Sequence, residues 1–117
     1  MSKSILQEKS LAFAVRCVNM YRHLTDSQKE FVLSKQMMRS GTSIGANIAE
    51  SRNAQSDADF ISEFSIALKE ADETAYWFEL MKRTDLLTEE EYNSVNADLN
   101  EIIAMLISSI KTKKEQA

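Results

Sequence analysis

A chain of 117 residues with no proline and only two glycines has few ways to reverse direction sharply. Sheet proteins turn every few residues and draw on those two residue types to do it. Their near absence predicts long helices joined by short polar links. The length suits one domain spanning 1–117. A chain of this size buries about two thirds of its unfolded surface, enough for one core without staples. Hydrophobic residues at 44% and charged residues at 27% exclude a disordered chain.

Apolar spacing divides the sequence into four helical segments. The first runs over about 4–23, with the stripe Leu6, Phe13, Cys17, Met20, Leu24 and Ser10 in its gap. A second stripe, Leu11, Ala14, Val18 and Tyr21, gives this helix more apolar surface than one buried face needs. Thr25 with Gln28 fits a capping box and opens a second segment over about 26–53. Its stripe is Leu33, Met37, Gly41, Ile44, Ile48. Two glycines inside a helix cost about 2 kcal/mol relative to alanine, so something should offset them. Gly41, Gly45 and Ala49 share one narrow line, where small residues admit the close approach of another helix or side chain. The alternative makes Gly41 a helix C-cap.

The third segment, about 57–83, opens with Ser56 as N-cap and Asp57 and Asp59 in the first turn. Its core stripe is Phe60, Phe64, Ala67, Ala71, Thr74, Phe78, Met81. A flanking stripe, Ile66, Glu70, Glu73, Trp77, Leu80, places two carboxylates among large apolar residues, either half-exposed or paired with a base. The fourth segment, about 89–113, opens with a Thr88–Glu91 capping box and carries Tyr92, Val95, Leu99, Ile102 and Leu106. Short links make neighbouring helices antiparallel. The expected fold is all-α, an up-down-up-down four-helix bundle.

Residues 39–50 read Arg-Ser-Gly-Thr-Ser-Ile-Gly-Ala-Asn-Ile-Ala-Glu; Ser56, Asp59-Phe60 and the run from Ile66 to Thr74 follow. On these residues the chain resembles the bacterial four-helix-bundle family of 23S rRNA intervening-sequence proteins, also labelled a ribosomal protein family. The hallmark is Ser43-Ile44 with Asn47-Ile48-Ala49-Glu50. The resemblance runs from about Phe13 to Ile110 and implies assembly as a homopentameric ring. It also implies kinship with retroelement accessory proteins thought to bind nucleic acid. Gly41 and Gly45 stand where many members carry alanine or larger residues.

The net charge of -4 excludes a uniformly basic nucleic-acid binder. The charge is uneven, however: residues 1–53 hold eight Lys/Arg against four acids, and the remainder six against fourteen. Lys9, Arg16, Arg22, Lys35, Arg39 and Arg52 are therefore the candidate contacts to phosphate. Lys9, Arg16 and His23 are seven apart and line one side of the first helix. Arg39, Ser43, Asn47 and Glu50 share one face of the second. Two readings of that face stay open: a surface for a polar ligand, or a hydrogen-bonded network in which Arg39 or Asn47 meets Glu70 or Glu73. Gly41, Ser43, Ile44, Gly45, Asn47, Glu50, Glu70 and Glu73 are the candidates for the family motif and for assembly.

No catalytic residue, cofactor or metal site is expected. Cys17 lies on the core stripe of the first helix, and a single cysteine makes neither an internal disulfide nor a Cys-based zinc site. His23 is the only histidine, so the Glu-x-x-His pairs of a di-iron bundle are missing. The segment around Gly41 lacks the Lys-Ser/Thr ending of a phosphate-binding loop. No apolar run approaches the ~20 residues of a spanning helix, and no signal-peptide pattern follows Met1. The expectation is a cytoplasmic, non-enzymatic oligomer that avoids the membrane and binds structured RNA through its basic N-terminal half. The alternative is an interaction scaffold with no nucleic-acid role.

Overall fold

A computed structural model describes residues 4–116. Four helices follow one another: α1 (Ser4–Ser27), α2 (Leu33–Glu50), α3 (Asp57–Arg83) and α4 (Glu89–Gln116), with a single 3-10 turn at Ser51–Asn53. Each helix packs against the next and α4 returns beside α1, giving an all-α bundle of 47 × 22 × 21 Å.

The α1–α2 junction corrects the expectation from sequence. Thr25 does not cap a second helix; its hydroxyl donates to the Arg22 carbonyl inside α1, which continues to Ser27. The chain then reverses through Lys29, held at a left-handed φ of 56°. Glu30 supplies the cap. Its carboxylate accepts the N–H groups of Val32, Leu33 and Ser34 at 3.1, 2.8 and 2.8 Å, and α2 starts at Leu33. These are the donors a helix N-terminus leaves without partners. Partial burial pushes the Glu30 carboxyl up, and the three backbone donors outweigh that, leaving it below the usual carboxylate range.

The other junctions are simpler. The Ser56 hydroxyl accepts the Asp59 N–H at the head of α3. Thr88 and Glu91 exchange N–H bonds at 2.8 and 3.0 Å at the head of α4. After α3, the N–H of Leu86 closes on the Met81 carbonyl at 2.9 Å while Asp85 takes a left-handed φ of 65°.

The core is filled from every helix: Phe13 and Leu24, Met37 and Ile44, Phe78 and Met81, Leu99 and Leu106 are all buried. Phe13 and Phe78 meet edge-to-face across the bundle, 6.1 Å between ring centroids. One polar bridge crosses the interior, where the Thr74 hydroxyl of α3 lies 2.8 Å from the Ser40 hydroxyl of α2.

Gly41 sits within α2, so it is not a C-cap. A Cβ there would lie 2.4 Å from the Cys17 sulfur and 3.3 Å from its Cβ, closer than packed atoms approach. At Gly45 the nearest atom would be the Ser10 hydroxyl oxygen at 3.3 Å. The small-residue line therefore faces α1 of the same chain. Close packing along that seam offsets the helix-propensity cost.

Candidate nucleic-acid interface

The six candidate cations do not form one surface. Lys9 and Arg16, seven apart on α1, both turn toward α4. Lys9 Nζ lies 3.1 Å from Glu101. Arg16 donates to Asp98 at 2.7 Å and to the Ser94 hydroxyl at 2.9 Å. Arg39, on α2, reaches across to α3, with one guanidinium nitrogen 3.3 Å from Glu70 and another 2.5 Å from Glu73. Each of these three charges has a carboxylate within the chain.

Arg22, Lys35 and Arg52 differ. All three are exposed, and none makes an ion pair among the described residues. Among the described residues Arg52 donates to the Ala49 carbonyl, at 3.3 Å. Arg22 and Lys35 flank the α1–α2 junction, whereas Arg52 lies past the far end of α2. The described cations without a carboxylate partner are thus fewer and more dispersed than the sequence balance suggests.

Around Arg39 the polar atoms form a chain. Glu73 accepts from Arg39 and, at 3.0 Å, from the indole N–H of Trp77. The hydrogen bond from Arg39, then that from Trp77, holds the Glu73 carboxyl below the usual carboxylate range. The same contact with Glu73 raises Arg39 above its ordinary value. This network of Arg39, Glu70, Glu73 and Trp77 ties α2 to α3 through partly exposed side chains.

Asn47 takes no part in it. Its amide donates to the Ser43 carbonyl at 2.8 Å, and the Ser43 hydroxyl to the Arg39 carbonyl at 2.7 Å, so both close on their own helix. Glu50 is exposed. Ile44 and Gly41 are buried within the chain and act through its own packing. Cys17 is buried as well, and burial pushes its thiol up to about 12, which leaves it protonated and inert at neutral pH.

The outer side of α1 carries exposed apolar side chains, as do the α1–α2 junction at Phe31 and Val32, α3 at Ile66 and Tyr76, and α4 at Ile107. Leu11 is 65% exposed and Val15 52%, on the face opposite Phe13 and Cys17. Val18 beside them is half-buried, and Tyr21 is half-buried toward the bundle. The second α1 stripe read from the sequence is therefore displaced on the helix: Val15 belongs to the outward strip and Tyr21 does not. The acids of α4 that take up Lys9 and Arg16 were not singled out from sequence either, because no spacing within one helix reveals its neighbour's register.

Among the described residues no group of three or more His, Cys, Asp or Glu side chains is arranged to hold a metal ion. No described helix is long and apolar enough to cross a membrane.

Comparison with known proteins places this geometry. Residues 2–108 match the family model described as 23S rRNA-intervening sequence protein. A crystal structure at 1.70 Å resolution of a protein of unknown function, from the S23 ribosomal protein family of Bacteroides thetaiotaomicron VPI-5482, superposes with a TM-score of 0.92. It is 58% identical, and the match covers 95% of this chain and 99% of that one. No curated protein matches the sequence.

Proposed function

The chain belongs to the 23S rRNA-intervening sequence protein family, and from that premise we propose that it is a non-catalytic bundle that self-associates and, as an assembly, contacts structured RNA. The observation that carries the reading is the outer face of α1. Leu11 and Val15 stand in water on a helix whose opposite face is already the core. Contiguous exposed apolar surface of this kind marks a contact. A ring of five is the number implied by the resemblance.

The RNA contact is assigned to Arg22, Lys35 and Arg52, the candidate cations without a carboxylate partner. Three cations make a weak site in one copy. Repetition in an assembly raises the avidity, provided the RNA can reach several copies at once. Lys9, Arg16 and Arg39 are left out because their charges are already matched within the chain.

A second reading, an interaction scaffold without nucleic acid, is favoured by that same neutralisation and by the net charge of -4. Sedimentation of the purified protein, alone and with a structured RNA at roughly 50 and 200 mM salt, separates the two. The RNA reading predicts a mass above one chain and binding that weakens with a log–log salt slope of about -2 to -3 per copy. An assembly that ignores RNA at the lower salt would leave the scaffold.

A further inference from the structure

The link between α1 and α2 holds an aromatic ring in water. Phe31 is 58% exposed and Val32 beside it 69%. The backbone under them is tied down on both sides. The N–H groups of Gln28 and Glu30 both close on the Leu24 carbonyl at 3.1 Å, and the Glu30 carboxylate bonds forward to the head of α2. Phe31 therefore stands on ordered backbone, and a partner that covers its ring has little chain freedom to remove.

Cations flank this ring. Lys29 lies two residues before Phe31 and Lys35 four after it, and Arg22 sits on the part of α1 that enters the same link. All three are exposed, and none has an ion-pair partner among the described residues. Two acids fall between Arg22 and Lys35, Asp26 and Glu30. Glu30 is already engaged by three backbone N–H groups, which leaves Asp26 against three cations. The acids at the head of α4 lie on another side of α1: Glu90 and Glu91 share a groove with Arg16 and His23. Arg22 is turned from Arg16 by about 120° around the helix.

An exposed ring among unpaired cations suits a nucleic-acid strand whose bases are free. The ring face stacks on a base, and the cations take the phosphates beside it. A continuous duplex keeps its base faces covered, whereas loops and bulges of RNA present them. A second copy offering the same tip would set these cations against their like.

We propose that the α1–α2 link is a stacking tip for an unpaired base of RNA, with Phe31 against the base and Arg22, Lys29 and Lys35 on the adjacent phosphates. The proposal rests on the RNA reading and narrows it: the tip takes a single-stranded loop, not a paired stem. It adds Lys29 and Phe31 to the contact and leaves Arg22 and Lys35 in the role already given them.

The test compares two probes at roughly 50 mM salt, an RNA hairpin with a loop of about eight unpaired nucleotides and its stem closed as a blunt duplex. Wild type should bind the hairpin more tightly than the duplex. Phe31→Ala should raise the dissociation constant for the hairpin by about tenfold or more, and Phe31→Leu nearly as much, because leucine is apolar but offers no ring to stack. Phe31→Trp should retain binding, and its added indole fluorescence should be quenched by the hairpin and not by the duplex. The salt slope should stay the same in Phe31→Ala and fall by about one in Lys29→Gln. Phe31 and Lys29 are exposed, so the melting curves of these variants should overlay the wild type.

Phe31→Ala or Phe31→Leu that binds the hairpin as well as wild type would overturn the stacking tip and spare the RNA reading, and so would equal affinity of the wild type for hairpin and duplex. Phe31→Ala that lowers the sedimenting mass would make the tip a contact between copies and also overturn the proposal. A wild type that binds neither probe would overturn both readings.

Discussion

Against α2, helix α1 packs backbone-close across Gly41 and Gly45, with Cys17 and Ser10 filling the space a side chain would take. Against α4, it reaches over solvent through Lys9–Glu101 and Arg16–Asp98, between side chains 39–54% exposed. The first seam is held by close contact and tolerates no added volume. The second is bridged at its surface by half-hydrated charges, and those pairs contribute little to stability. Its consequence is electrostatic: it removes two of the cations that the sequence offers for phosphate.

The comparison sharpens most at Gly41. Gly41→Ala should destabilise the fold by about 1–2 kcal/mol in a denaturant melt, the clash with Cys17 outweighing the gain in helix propensity. Adding Cys17→Ala should recover part of that loss. A Gly41→Ala chain as stable as wild type would mean that the seam has slack.

The turn that delivers α2 to this seam comes next. Glu30→Ala should cost about 1 kcal/mol, as the loss of a helix cap does. The folded-state pKa of Glu30 is lowered. Its contribution is therefore complete above the unfolded-state value of about 4.3 and is lost as pH falls through the lower folded value. The difference between wild type and Glu30→Ala should shrink in acid melts and stay constant from neutral pH upward.

Across the other seam, Arg16→Ala should cost only about 0.2–1 kcal/mol, and less at high salt. A larger, salt-independent loss would show that Arg16 acts through the packing of its stem rather than its charge. Gly45→Ala should be the smallest effect, within about 0.5 kcal/mol, because a contact at 3.3 Å is tight but is offset by helix propensity.

Much of the fold can be read from local pattern. The capping residues Ser56, Thr88 and Glu91 act where their spacing puts them, because a capping box is chemistry within four residues. The α1–α2 junction is not readable in that way. Thr25 and Gln28 imitate a box, while the working turn uses a non-glycine residue at positive φ and a glutamate that bonds forward. The candidate site divides along the same line. That cations crowd the N-terminal half is plain from the sequence. That Lys9, Arg16 and Arg39 meet Glu101, Asp98, Glu70 and Glu73 depends on registers between helices, which single-helix periodicity leaves open.

The most direct test of this division of cations is RNA binding by two triple variants at about 50 mM salt, each read beside the wild type. The account predicts that replacing Arg22, Lys35 and Arg52 together with glutamine abolishes binding. It predicts that the same change at Lys9, Arg16 and Arg39 leaves most of it in place. Loss of binding in the second variant with retention in the first would contradict the account, and so would a wild type that binds no structured RNA.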